Sequence, residues 1–187
     1  MRADPVLYDL GIVFVCQGRK RGHFGDQIYL YDDQHYLPVF VPVPFTMETD
    51  ASIEAPLLAI YMHLDFKLAA DLMLQIGQYG GIEPAHPRGM MSTPMDRRLC
   101  ESLLCLLEVM NPPLEVQILG PALVREIYFR VLAGEQGGFD ASRTIDAWSV
   151  WQAPSTRSSG CKRSSRYLLR IQIRYLFHLI DALRALT

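Results

Sequence analysis

The sequence has no run of apolar residues approaching the roughly 18–20 that a membrane-spanning helix needs, so a membrane protein is not expected. Its first residues, Met1-Arg2-Ala3-Asp4-Pro5, place an acid and a proline where a signal peptide keeps its apolar region. Cysteine is scarce: Cys16, Cys100, Cys105 and Cys161 lie far apart with no C-x-x-C spacing. That pattern predicts reduced thiols in a cytoplasmic protein rather than a disulfide framework or a zinc site. The five histidines, His23, His35, His63, His86 and His178, include no H-x-H pair and no local carboxylate partner, so no metal is expected. A G-x-S-x-G elbow, a P-loop and a G-x-G-x-x-G loop are all missing. Cys16 stands in an apolar run, where its thiolate is disfavoured as a nucleophile. The expectation is a chain without catalytic residues or cofactor.

What is present is a globular composition, 50% hydrophobic and 20% charged in 187 residues, enough for one ordinary domain and an appendage. Charge divides it. Residues 1–139 hold 10 Lys/Arg against 17 Asp/Glu, a net of −7, whereas residues 140–187 hold 8 against 3, a net of +5.

The front of the chain reads as a meander of antiparallel strands. Apolar and aromatic β-formers recur at Leu10 to Cys16, Ile28 to Tyr31 and Tyr36 to Val41, separated by Gly- and Asp-containing turns. Gln17 to Gly22, with three successive cations Arg19, Lys20 and Arg21, reads as a basic turn, either simply exposed or anion-binding. Tyr29 and Tyr31 share one strand face, which either lines a cavity or covers the sheet. Pro38, Pro42 and Pro44 predict an edge or bulged strand. Thr46 to Asp50 is expected to lead through a turn into a buried strand over Leu57 to Leu64. From Asp65 the period changes to a helical one. Asp65 is placed to cap a helix ended by Gly77, Gly80 and Gly81. A second helix is expected to open at Ser92-Thr93-Pro94-Met95, carry the stripe Leu99, Leu103, Leu106, Leu107 and Met110, and stop at Asn111-Pro112-Pro113. A third is expected from Pro121 to Ala133, closed by Gly134. Strands first and helices afterwards indicate an α+β fold.

The series Cys16-Gln17-Gly18-Arg19-Lys20, then Gly25-Asp26 leading to Tyr29 and Tyr31-Asp32, then His35-Tyr36-Leu37 and Val41-Pro42-Val43-Pro44-Phe45 resembles the N-terminal sensory domain of AraC-type transcription regulators. The likeness continues through Glu54 to Ile60, Leu119 to Tyr128 and Leu132 to Gly137, and fades near Phe139. The resemblance implies a cupin-like antiparallel β-barrel or rolled sheet followed by packed α-helices. It also implies a small-molecule effector in the sheet and helices that contribute to a homodimer. Residues whose polar tips could orient an effector are Gln17, Tyr29, Tyr31, Tyr61 and His63. The stripe Leu99, Leu103, Leu106, Leu107 and Met110 suits dimerisation, packing against its own sheet, or both.

After Phe139 the pattern departs. Residues 140–187 hold Trp148 and Trp151, nine Ser/Thr between Ser142 and Ser165, and an amphipathic segment with Leu169, Ile173, Leu176, Ile180 and Leu183 in one stripe. Arg166, Arg170 and Arg174 form a ridge beside it. The two helix-turn-helix units of a full regulator do not fit into this stretch, and an altered reading frame near Asp140 would account for the shift. DNA is then a partner only through a reader supplied by another chain. Two alternatives to a stand-alone sensor are a metal-dependent cupin-like enzyme, with His23, His35 and His63 converging, and a truncated partner that silences full-length regulators.

Overall fold

The computed structural model describes residues 4–8, 10–39, 43–52, 55–79, 92–110 and 112–134. The expected tail (140–187), the Gly- and Pro-rich loop around residues 80–91, Pro42 and Asn111 lie outside them.

Two antiparallel four-stranded sheets and four helices make an α+β domain, and the sheets are not closed into a barrel. In chain order the strands are β1 (Asp4–Tyr8), β2 (Gly11–Gln17), β3 (Arg19–Phe24), β4 (Gln27–Asp32), β5 (His35–Val39), β6 (Val43–Asp50), β7 (Leu58–His63) and β8 (Thr93–Pro94). The helices are α1 (Phe66–Gln78), α2 (Arg97–Val109), α3 (Pro113–Ile118) and α4 (Gly120–Ala133). One sheet runs β1-β6-β3-β4 and the other β7-β2-β5-β8.

β2 explains the arrangement. It sits between β5 and β7, and Ile12 to Cys16 are all buried, as a continuous apolar run in a sheet covered on both faces should be. Ile12, Phe14 and Cys16 point to the helices, together with Tyr36, Leu58, Ile60 and Met62. Val13 and Val15 point the other way and pack with Leu37, Val39 and Tyr31 in a second cluster facing the other sheet. Burial in β7 alternates strictly, a cleaner period than the sequence suggests.

Several sequence expectations are corrected. Arg19 to Gly22 are not a turn but most of β3, an interior strand. The turn is made by Gly18 alone, at φ 86°, a conformation that suits glycine. The cations are tolerated because their neighbours in the ladder are acids: Arg19 lies opposite Asp32 and Asp50, and Arg21 opposite Glu48. Thr46 to Asp50 likewise belong to β6, paired with that strand. Pro44 falls where β6 pairs with β1 but not β3, and Pro38 lies beyond the two-residue reach of β8. Both prolines therefore sit where one side of the ladder has ended.

The helix starts are set by carboxylates. Asp65 accepts the Leu68 amide at 3.1 Å, as expected for its cap. The second helix starts later than Pro94: Thr93–Pro94 pairs with β5 instead, and Asp96 caps α2 by accepting the Leu99 amide at 2.7 Å. α3, which follows Pro112, is an additional helix, a short turn that the paired prolines start rather than prevent. α1 continues through Gly77.

The helical layer is tied together by polar bridges. The Tyr128 hydroxyl of α4 donates to the His63 carbonyl at 2.6 Å and accepts the Asp65 amide at 2.7 Å. Arg125 reaches Asp71 of α1 at 2.9 Å, and Ser102 of α2 donates to Glu126 of α4 at 2.9 Å. Leu103 is 0% exposed and Leu74 is 70% exposed. Leu103→Ala is therefore expected to cost about 2–5 kcal/mol, whereas Leu74→Ala stays within about 0.5 kcal/mol. Urea unfolding of both variants measures the difference. Tyr128→Phe, which strands two backbone groups, is expected to cost about 1–3 kcal/mol in the same assay.

Candidate functional site

The face on which the two sheets oppose each other is lined from both sides. From β2 come Val13 and Val15, from β5 Leu37 and Val39, and from β4 Tyr31, with Tyr29, Met47, Leu57, Ala59 and Tyr61 packed partly exposed around them. Both tyrosines of β4 thus turn inward, while Ile28 and Leu30 of the same strand are exposed.

The five candidate ligand residues occupy different situations. Tyr31 is fully enclosed, and its hydroxyl donates to the Met47 sulfur at 3.1 Å; it forms the floor of the cluster. Tyr29 is half-buried, with its hydroxyl donating to Gln27 Oε1 at 2.6 Å. Tyr61 and His63 are two residues apart on β7, with ring centroids 4.9 Å apart in an edge-to-face contact. Gln17 lies at the end of β2, beside a register shift, and donates from Nε2 to the Pro56 carbonyl at 2.9 Å. Tyr29, Tyr31 and Tyr61 share the inter-sheet cluster; Gln17 and His63 are at strand ends.

Three further residues lie on this face, where the sequence reading did not place them. A Cβ on Gly11 would come within 2.8 Å of the Tyr61 ring and 2.6 Å of the Met62 carbonyl, so only glycine lets the Tyr61 ring lie across β2. Lys20 stands opposite Tyr31 in the register, and Gly22 opposite Tyr29, which places both on the inward side of β3. The period-two signal that reveals Lys20 is present in Arg19 to Phe24, but it shows only once that stretch is read as a strand.

A concavity of about 430 Å³ opens where the β4–β5 turn meets the start of α2. Asp33, Gln34, His35, Arg97 and Cys100 are among its walls, and none of them belongs to the inter-sheet cluster. The turn is held by His35 Nδ1, 2.7 Å from Asp32 Oδ1, and by the Gln34 amide, which donates to the same oxygen at 3.1 Å. Burial pushes the Asp32 carboxyl upward, but these hydrogen bonds and the charges of His35 and Arg19 outweigh it and hold it below the usual carboxylate range.

The groups that could do chemistry are spread out or muted. Burial, with a smaller contribution from the nearby Cys100, pushes the Cys16 thiol up to about 12, far from a thiolate at neutral pH. His23, His35 and His63 fall on β3, β5 and β7. Among the described residues no three His, Cys, Asp or Glu side chains are gathered as a metal site requires. His23 Nε2 is buried without a hydrogen-bond partner among the described residues, 3.8 Å from Glu48 Oε1.

The leucine stripe of α2 is placed inward. Leu99, Leu103, Leu106 and Leu107 are buried against the β7-β2-β5 sheet, and Met110 is packed at the margin of that core.

Two antiparallel sheets, with helices stacked on the outside of one of them and tyrosines between them, make an α+β fold. Residues 1–139 match the family model described as the AraC-type transcriptional regulator N-terminus, and the chain belongs to that family. No curated protein matches it. Among the described residues no helix is long and apolar enough to cross a membrane.

The depressed Asp32 carboxyl ties stability to pH. Its folded value lies below its unfolded value of about 3.9, so its contribution is complete above that value and is lost as pH falls through the folded one. The urea midpoint is expected to drop on acidification below about pH 4 more steeply in the native chain than in Asp32→Asn. Parallel denaturation series of the two proteins, taken across that range, test this.

Proposed function

We propose that this chain is the effector-sensing and dimerisation module of an AraC-type regulator, and that it works by binding rather than by catalysis. The observation that carries this reading is the family match over residues 1–139, joined to an inward face where the phenols of Tyr29, Tyr31 and Tyr61 stand beside apolar side chains, with the exposed His63 ring against Tyr61 at the end of β7. Such a lining, mostly apolar with a few oriented polar tips, suits a small organic ligand. In this reading Tyr61 and His63 meet the ligand at the open end of β7, Gln17 and Tyr29 border it, and Tyr31 is the floor.

A route from that face to the helices follows from Tyr128. A ligand that moves the end of β7 shifts the His63 carbonyl, and this carbonyl holds the Tyr128 hydroxyl of α4. Tyr128 also holds the Asp65 amide at the head of α1, so both helices feel the displacement. Occupancy would then shift an equilibrium between helix arrangements. Two copies would meet through apolar residues that the helices leave outward, on α3 and α4, because the α2 leucines are occupied by their own core. The protein would act in the cytoplasm, and contact with DNA would come from a reader outside the described residues.

Calorimetric titration of the full chain with a panel of small metabolites is the test. At least one compound is expected to bind saturably, and Tyr61→Ala to weaken it by about tenfold, the loss of one aromatic contact of roughly 1.5 kcal/mol. Failure of every compound, or binding untouched by both Tyr61→Ala and His63→Ala, would remove the inter-sheet face from the account. One equivalent of bound iron, manganese or zinc in the purified protein would favour an enzyme instead.

A further inference from the structure

The three successive cations of the sequence are divided between the two faces of one strand. In β3, Arg19 and Arg21 fall on one side and Lys20 on the other. Arg19 stands opposite Asp32 and Asp50, and Arg21 opposite Glu48. Lys20 stands between Tyr31 of β4 and Thr49 of β6, on the side where Tyr31 and Met47 pack towards the other sheet. Asp32 follows Tyr31, and Glu48 and Asp50 flank Thr49, so strand period puts all three acids on the far face. β2, β5 and β7 contain no acidic residue. Asp4 of β1, in register with Met47, begins a strand two ladder spacings, roughly 10 Å, from β3. The outer face thus matches cations with acids, whereas the inward face joins an ammonium to phenols and aliphatic side chains.

We propose that the effector of this domain is an organic monocarboxylate with an apolar body, and that Lys20 is the residue that selects the acid; this rests on the effector-sensing reading above. Position favours it. Lys20 is half-buried, with exposed Thr49 on one side and enclosed Tyr31 on the other, so it stands at the rim of the face. A carboxylate held there directs the rest of the molecule inward, towards the partly exposed Tyr29 and Tyr61 and the side chains of Met47 and Ala59.

The number of charges limits the anion. One ammonium matches one carboxylate. A phosphate ester at neutral pH carries nearly two charges and three acceptor oxygens, and the hydroxyls of Tyr29 and Tyr31 are already directed to Gln27 and Met47. Beside apolar side chains the attraction between ammonium and carboxylate is stronger than in water, because the local dielectric is lower. A neutral amide of the same shape gains far less from Lys20.

Calorimetric titration of the full chain at neutral pH with matched acids and amides tests this, using hexanoate with hexanamide and phenylacetate with phenylacetamide. In at least one pair the acid is expected to bind about tenfold or more tightly than its amide, the margin of a charge-assisted contact over a neutral one. Lys20→Met brings that acid down to the level of its amide and leaves the amide within about twofold, which also reports that the variant is folded. Lys20→Arg, which keeps the charge, retains the advantage of the acid. Amides that bind as tightly as acids, or an advantage that survives in Lys20→Met, overturn the proposal; if Tyr61→Ala still weakens that binding, the effector reading stands without it. Absence of binding by both acids also overturns the proposal, and the effector reading falls with it only if the metabolite panel fails as well.

Discussion

The structure hinges on one phenolic oxygen. Tyr128 is buried in the middle of α4, and its hydroxyl is shared between the carbonyl that ends β7 and the amide that opens α1. The two groups flank the strand-to-helix passage at Leu64, whose own amide donates to the Leu10 carbonyl at 3.0 Å. Without that oxygen the passage would need water at a place packed with Leu64, Ile127 and Leu132. α4 is therefore positioned against the sheet by directional bonds as well as by apolar contact, and the polar bridges from Ser102 and Arg125 fix its relation to α2 and α1.

Much of this was legible in the sequence. Strands ahead of helices, the burial of Leu10 to Cys16, the Asp65 cap and the stripe of α2 each follow from local chemistry, and the structure contains them. Where reading failed, the cause was a partner distant in sequence. Arg19 to Gly22 look like a turn because three cations in succession should seek solvent, yet Asp32, Asp50 and Glu48 arrive opposite them only when the sheet assembles. Thr93–Pro94 looks like the first turn of a helix because proline is at home there. Pairing with His35 and Tyr36 claims those residues for the sheet. Local propensity gives way to tertiary pairing in both cases.

The site was legible in part. That Tyr29 and Tyr31 share a face follows from strand period, but which face is inward depends on the second sheet, which no local pattern announces. The closeness of Gly11 to Tyr61 is of the same kind, since a glycine at a strand start has many readings and only the ring packed across it selects one. The α2 leucines show the converse limit. A strong apolar stripe reports that a helix face is covered, not by what, and here the cover is the domain's own sheet.

The proline of β5 has a bearing on assembly. Past the two residues taken by β8, this strand has no further partner on that side among the described residues and carries an imino acid where an amide would stand. An incoming strand could not zip along it, so sheet-to-sheet joining of copies is closed off at this border.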